Sequence, residues 1–551
     1  MSILFDAALS PVLSPAVSPG LAVAGSTAVV SLDWLRLAPA LAPALGSVLI
    51  LVLDALLPRR SRLHVTVAVV ALLAGAAFAL SRALGGAGSG DRTLCVPGTT
   101  TCLWDADPVS STLQVGALGA TLAAVLLMLS RLLTAPADDG PSLGEPQRGG
   151  PAVTLALMLA SATGAVSVAA AHDIPAWLVS LELATLPVVA LVALRGTRAA
   201  GHGALALLTT SLVSFAMLVL GSALWVTATA RPTFSEDAVG AAWAVPAQRA
   251  LLILAVVVLV AGLGFKLSAV PFHAWTPQAY GSAAAPVAAL LASASKIAAL
   301  SALLVVLRPF TRLVGTANAP HVLAFALALL AVASMLVGNI MALRQDDAVR
   351  LLAWSTVAQA GWVVLPLAAL TTAGRQASAA YVLTYAAATL VAFASVSSVM
   401  AARADAAAAA GGGRTPGRRL TAYTGLLRSD PTVGVPLTLA LFVLAGLPPG
   451  IIGLLAKVVA MKPVIGAQLW PLAVIAVVAA VLGIAVYVRW VSALFSDRAD
   501  DAADVGADVG ADGGAAVRGR AGLGNLTVLG AGTVVLVALS VLPQLLFGLL
   551  E

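Results

Sequence analysis

Glu182 is the one charged residue in the run LVSLELATLPVVALVAL, residues 178–194. An ionisable group at bilayer depth costs about 2.5–3.5 kcal/mol on an insertion scale, so it marks a function and a partner to be found. Lysine is the partner to seek. It stands only at Lys266, Lys296, Lys457 and Lys462, while every other basic residue is arginine. Three of the four fall within apolar runs. Arginine keeps its proton at any attainable pH, whereas a buried ammonium can give its proton up. A chain that uses arginine wherever charge alone matters, and lysine at depth, is equipped for proton transfer. The competing reading is that lysine stems carry the charge to the interface. It fits Lys462 and fits Lys266 and Lys296 badly. His273, just past Pro271 and beside Trp275, either gates proton entry from the cytoplasm or is an interfacial histidine next to an aromatic anchor.

Membrane helices must hold these groups. The chain is 60% hydrophobic and 10% charged, against roughly half and a quarter in soluble domains. Its apolar runs repeatedly exceed about 18 residues, the length that spans a bilayer. The expected fold is an all-α polytopic membrane protein with about fourteen transmembrane helices, near 38–57, 63–83, 113–134, 151–171, 174–194, 203–229, 250–271, 285–307, 319–341, 349–370, 376–402, 434–461, 468–494 and 525–549. The formal charge of +6 reflects loop arginines and calls for no nucleic acid. Arg59, Arg60, Arg62, Arg195, Arg198, Arg344, Arg350, Arg403, Arg414, Arg418 and Arg419 gather on one side. That side is expected in the cytoplasm of a bacterial cell, with both termini outside. Asp54 is expected to pair with Arg59 or Arg60 or to reach the surface. His172 and Asp173 read as a solvated loop outside. Cys95 and Cys102, the only cysteines, fall in a long outside loop, either bridged or as two free thiols. No histidine lies near them in sequence, and no metal site is expected. The first 30 or so residues lack the charged start of a cleaved signal peptide. The linkers AAAAAGGGRTPGRR, 406–419, and DRADDAADVGADVGADGGAAVRGR, 497–520, read as solvated segments that bind nothing.

Two spans are interrupted. Lys266 sits in AGLGFKLSAVPFHAWTP, and Lys457 follows LAGLPPGIIGLLAK, broken at Pro448, Pro449 and Gly450. Such breaks free backbone groups in mid-membrane and are tolerated where they are buried or line a wet cavity. Paired broken helices point to two inverted repeats of about five helices with an ion path at mid-depth. The expected division is 1–150 for the first three helices, 151–310 for the first repeat, 311–495 for the second, 496–524 for an acidic linker and 525–551 for the last helix.

The run at 178–194, together with GLGFKLSAVPFHAWTPQAYGSAAAPVAALLASASKIAAL, RLLAWSTVAQAGWVVL and LFVLAGLPPGIIGLLAKVVAM, resembles the proton-translocating antiporter-like membrane subunits of respiratory complex I, an NADH-quinone oxidoreductase, and of multisubunit cation/proton antiporters. The resemblance covers about residues 150 to 495, and FKLSAVPFHAWTP is its most specific element. It implies a mid-membrane proton path through Glu182, Lys266, Lys296 and Lys457. It also implies other membrane and peripheral subunits as partners, which would carry the flavin, iron-sulfur clusters and quinone. No cofactor is expected in this chain, which has no CxxC, no GxGxxG after a strand and no P-loop. The chain would thus be a non-redox subunit of a translocase.

There are departures from the family pattern. Gln278 and Gly281 stand where relatives have acids, which puts proton entry in question. Gln359 stands where relatives often have histidine. Glutamine does not titrate, so a relay there would pass by water or by a hydroxyl such as Tyr381 or Tyr385; ordinary interhelical hydrogen bonding is the other reading of all three. If Glu182 comes within about 4 Å of Lys266 at an effective dielectric near 20, the attraction is about 4 kcal/mol. That is enough to decide where a proton rests, and makes the pair a switch rather than a permanent lock. A sodium/proton antiporter subunit and a non-conducting scaffold are the alternative functions.

Overall fold

The computed structural model of the chain describes residues 32–57, 60–85, 91–95, 102–134, 150–313, 320–409, 417–496 and 522–550. Its elements run α1 Trp34–Leu56, α2 Ser61–Leu84, β1 Asp91–Cys95, β2 Cys102–Ala106, α3 Pro108–Thr134, α4 Gly150–Val168, α5 Ile174–Ala193, α6 Arg198–Thr229, α7 Glu236–Ala244 and α8 Pro246–Leu267. They continue with α9 Trp275–Ser282, α10 Ala285–Ala292, α11 Ala294–Leu307, α12 His321–Leu343, α13 Ala348–Val364, α14 Thr372–Ala409, α15 Leu426–Ser429, α16 Pro431–Ala445, α17 Ile451–Gly466, α18 Trp470–Phe495, α19 Leu523–Val541 and α20 Gln544–Phe547.

Local chemistry sets many of the starts. Asp33, Asp173, Thr197 and Asp347 each accept a backbone N–H from the first turn of the helix that follows. They satisfy donors that a helix start leaves unpaired. Proline occupies the first turn of α5, α8, α10, α16 and α18, where its missing N–H costs nothing.

Thirteen helices among the described residues are long and apolar enough to cross a membrane. They account for every expected span except 434–461. That run is not one helix but two, α16 and α17, parted at 446–450. Counting the bent pair Leu420–Ser429 and Pro431–Ala445 as one span gives up to fourteen among the described residues. The expected run 250–271 likewise ends early, at Leu267.

Burial is graded from the centre outward. The windows at 285–311 and 348–369 are 94% enclosed, against 28% for α1 and for α19. Lys296 and Gln359 therefore lie on the innermost helices, with the apolar outer helices between them and lipid.

One membrane face carries the hairpin β1–β2, closed by a Cys95–Cys102 disulfide. Of the two states open to these cysteines, the bridged one is present. The hairpin docks on the turn between α4 and α5 through Asp105 N–H to Ala170 O (3.0 Å) and His172 N–H to Leu103 O (2.9 Å).

The opposite, linker face is tied by arginines. Arg195 donates to Ser282 O at 2.9 Å and Arg489 to Leu343 O at 2.8 Å. The first linker is not wholly free: 406–409 extend α14, and Ala348 N–H donates to Arg418 O at 2.7 Å. Residues 410–416, the run 497–520, the first 31 residues and Arg59 lie outside the described residues. Asp54 is 44% exposed, with His64 Nε2 3.9 Å away.

Candidate functional site

Helix α8 stops because Ser268 takes a left-handed conformation, φ 64°, and turns its N–H back to Phe265 O. The Val270–Pro271 peptide that follows is cis. The stop leaves the last carbonyls of α8 without helical donors. Lys296, arriving on α11, takes one of them: its Nζ donates to Lys266 O at 2.8 Å and to Ser268 Oγ at 2.6 Å. The same ammonium lies 4.7 Å from the centre of the Trp275 ring. A cation is favoured at the negative end of a helix and over an indole face. Trp275 is held for this by its own Nε1–H to Phe265 O, 2.9 Å.

Lys266, on the last turn of α8, turns the other way. Its Nζ donates to Glu182 Oε1 at 2.9 Å and to Thr185 Oγ1 at 3.0 Å, with Ser211 Oγ at 3.4 Å. Lys266 is 6% exposed. Glu182 and Thr185 share a face of α5 because they are three residues apart. A cavity of about 20 Å³ beside Lys266, lined by Thr185, Thr210, Ser211, Trp275 and Ser295 among others, has room for about one water.

The second break repeats the device. Helix α16 ends at Gly446, φ 77°, and the Pro448–Pro449 peptide is cis. Lys457 reaches back from α17 to the freed carbonyls, donating to Ala445 O at 2.5 Å and Leu444 O at 3.2 Å, with the Trp362 ring 5.4 Å away. Glycine is required twice here. A Cβ at Gly446 would stand 3.0 Å from Lys457 Cδ, and one at Gly453 would stand 1.9 Å from Val443 O.

Gln359 adjoins Lys457 through a shared acceptor, since its Nε2 also donates to Leu444 O, at 3.4 Å. The amide is otherwise saturated by phenols: Tyr381 OH donates to its Oε1 at 2.5 Å, and its Nε2 donates to Tyr487 OH at 2.9 Å. Ser355 lies 2.6 Å beyond Tyr487. Tyr385 donates to Thr356 one turn away, at 2.9 Å. Beside Thr356 and Tyr385 stands the buried Tyr280 hydroxyl. Tyr280 in turn packs edge-on against Trp275, the ring under Lys296.

Glu182, Lys266 and Lys296 thus form one contiguous group, and Lys457, Gln359 and Tyr381 a second. Tyr385 belongs to the polar residues flanking the second group. His273 joins neither: it is half-buried past the break, with its ring 5.2 Å from that of Trp354. Gln278 is exposed. A Cβ at Gly281 would stand 3.6 Å from Arg418 Nη2 and 3.7 Å from Arg350 Nε, so an acid there would meet two guanidiniums. In this chain Asp347 takes Arg418 instead, at 2.8 and 3.1 Å, while Arg418 Nη1 donates to Gly281 O at 2.7 Å.

Sequence reasoning missed Ser268, Trp275, Trp362 and Tyr487 as neighbours of the charges. Only adjacency to Lys266 and the aromatic FHAWTP run hinted at the first two. It also took His172 for a solvated residue. That histidine is packed under the hairpin, with Nε2 3.4 Å from Arg308 Nη1.

A bundle of apolar helices with two broken members, each break capped by a buried ammonium, defines a membrane protein of the antiporter-like class. Residues 171–483 match the family described as NADH:quinone oxidoreductase/Mrp antiporter, TM, and the chain belongs to that family. It is 36% identical to NADH-quinone oxidoreductase subunit N 2 of Streptomyces griseus over 88% of this chain and 86% of the relative. It is 38% identical to subunit N of Salinispora tropica over 85% and 86%. Among solved structures, a chain of respiratory complex I from Thermus thermophilus with bound aureothin superposes with a TM-score of 0.71 at 28% identity, covering 93% of this chain and 98% of that one. A chain of the Mrp complex from Dietzia sp. DQ12-45-1b shares the fold, with a TM-score of 0.75 at 20% identity over 94% and 96% of the two chains.

Proposed function

We propose that this chain is a subunit N-type membrane subunit of NADH-quinone oxidoreductase that moves protons through Glu182, Lys266, Lys296 and Lys457. Its partners are the other membrane and peripheral subunits, which hold the flavin, iron-sulfur clusters and quinone; this chain contributes no redox group. The subunit resides in the bacterial cell membrane, with the hairpin face outside and the linker face in the cytoplasm. Residues 151–310 and 311–495 form its two inverted repeats.

The observation that carries the reading is the 2.9 Å pair of Lys266 and Glu182, with Lys296 bonded to the backbone of the same lysine. With Glu182 in reach, the pair holds a proton on the amine. When they separate, a lone buried ammonium is costly, and its proton moves on through the water-sized cavity and Ser268 to the Lys296 amine, which has first passed its own proton toward Lys457. The hydroxyls of Tyr280 and Tyr385 and the Gln359 amide bridge toward Lys457 with water between them. Gln359 passes no proton itself; it fixes the phenols of Tyr381 and Tyr487 beside the Leu444 carbonyl to which Lys457 also donates.

The test is Lys266→Met in the whole complex reconstituted in liposomes. Assembly and NADH-driven electron transfer to quinone by the partner subunits are retained in part, and proton uptake is lost. A variant that pumps at the wild-type rate overturns the relay and leaves a scaffold. Co-purifying flavin and iron-sulfur subunits separate this reading from a sodium/proton antiporter subunit, whose transport would follow sodium instead of NADH.

A further inference from the structure

We propose that Arg308 and Arg375 form a cationic barrier that closes the interior between Lys296 and the hairpin face, so that protons do not run back along α11. The proposal rests on the lysine relay stated above and concerns residues that relay does not use. Lys296 and Arg308 lie on one rod, the second just past the end of the helix that carries the first. Any route from Lys296 to the hairpin face along this rod must pass Ser301, about 7.5 Å further on. Beyond Ser301 lies a cavity lined also by Ser110, Leu113, His172, Leu304, Arg308 and Arg375.

Three features make this cavity a stopper and not an outlet. Its volume is about 10 Å³, at the lower limit for a single water, so it holds no water wire. The ionic groups on its wall are the two guanidiniums, whereas Asp105 and Asp107 stand outside the lining. The ion pairs are oriented with the guanidiniums on the passage and their carboxylate partners behind, so the side that meets a migrating proton is the cationic one. Finally, the wall offers no easy acceptor. Burial and the Arg308 guanidinium push His172 down to about 4, so the imidazole stays neutral near pH 7 and takes up a proton poorly.

The guanidiniums are locked in place from behind. Arg308 Nη1 meets Asp105 Oδ2 at 3.2 Å, with Asp107 and Glu236 carboxylate oxygens each at 3.9 Å. Arg375 Nη2 meets Asp107 Oδ2 at 3.1 Å. Asp105 is carried by the disulfide-closed hairpin and also meets Arg92 at 3.4 Å. Through Asp105 the hairpin braces the barrier.

The test uses the assembled complex in liposomes with an imposed pH gradient and no NADH, reading the decay with an internal pH dye. Arg375→Gln, and separately His172→Asp, which sets a carboxylate against Arg308, are expected to speed the decay roughly tenfold, the change that follows from lowering the barrier by about 1.4 kcal/mol. Arg375→Lys keeps the charge and stays tight. Adding Lys296→Met to either leaky variant returns the decay to the wild-type rate, because the leak runs through that lysine. Unchanged decay in both single variants, or a leak that survives Lys296→Met, overturns the barrier. If Arg375→Gln does not assemble, His172→Asp decides alone. Failure of the underlying relay looks different: Lys266→Met would then pump normally, whereas failure of the barrier alone leaves that variant without pumping and both single variants tight.

Discussion

Lys296 and Lys266 are joined through the backbone: the ammonium of the first is bonded to the carbonyl oxygen of the second, 2.8 Å away. Two like charges in one apolar interior would ordinarily repel. Here the break in α8 turns the carbonyl end of that helix toward one lysine while Glu182 faces the other, and each charge has its own compensation. The pair is therefore close enough to sense each other's protonation and separately stable enough to survive it.

Glu182→Gln is expected to leave assembly intact and abolish pumping. The amide still accepts a hydrogen bond from Lys266 but has no charge to hold a proton there. Proton uptake by reconstituted complex during NADH oxidation measures this, and uptake at the wild-type rate would make the pair a structural tie.

Ser268→Gly separates the fold of the break from its chemistry. Glycine accepts the positive φ without strain, so the break itself should persist, while the buried hydrogen bonds lost with the hydroxyl lower the thermal midpoint modestly. The Oγ that accepts from Lys296 and from Thr276 disappears. A hydrogen bond to a charged group is worth about 1.5–3 kcal/mol, and pumping turnover should fall by about tenfold or more.

Gly446→Ala should damage both. The substitution forces a side chain into the left-handed region, at about 1–2 kcal/mol, and places its Cβ 3.0 Å from Lys457 Cδ. A lower thermal midpoint is expected together with slower pumping. Gly466→Ala, where a Cβ meets nothing within 4 Å, is the control and should change neither.

The hairpin cap should weaken in acid. Burial first, and then the Arg308 guanidinium, push His172 down to about 4 against the pull of Asp105 and Asp107. An unfolded histidine binds its proton near about 6.5, so below that pH the unfolded state binds more protons than the folded one. Stability contributed here is complete above about 6.5 and is lost as pH falls from there toward about 4. Asp107 adds to the loss at lower pH still: burial would raise its pKa, but Arg375 and Arg308 outweigh that and hold it below the usual carboxylate value. His172→Gln, neutral throughout, should flatten the dependence of the thermal midpoint on pH between about 6.5 and 4; an unchanged slope would show that the histidine does not set it.

The charges at depth were legible in the sequence because the bilayer makes them conspicuous. Glu182, Lys266, Lys296 and Lys457 each stand out against apolar neighbours, and Pro271 and Pro448 announce the breaks beside two of them. What surrounds them was not legible, since Trp362, Tyr487 and Ser211 reach the site from other helices by packing, and hydropathy carries no information about which helix faces meet. The span at 434–461 is split where Pro448, Pro449 and Gly450 indicate, between Ala445 and Ile451, and Gly446 takes the positive φ that the turn needs. His172 read as solvated because a short polar turn between spans normally is. Its burial depends on a hairpin 60-odd residues upstream, whose strands are too short and mixed to announce themselves.

The two indoles under the ammonium groups make this protein an optical instrument for its own traffic. Trp275 lies 4.7 Å from the Lys296 nitrogen and Trp362 lies 5.4 Å from that of Lys457. A full positive charge so near a ring polarises its electrons, and its removal shifts the energy gap that governs absorption and emission. Fluorescence from these two positions, with the remaining tryptophans replaced by phenylalanine, would report the occupancy of each station in real time, with no dye added to the membrane.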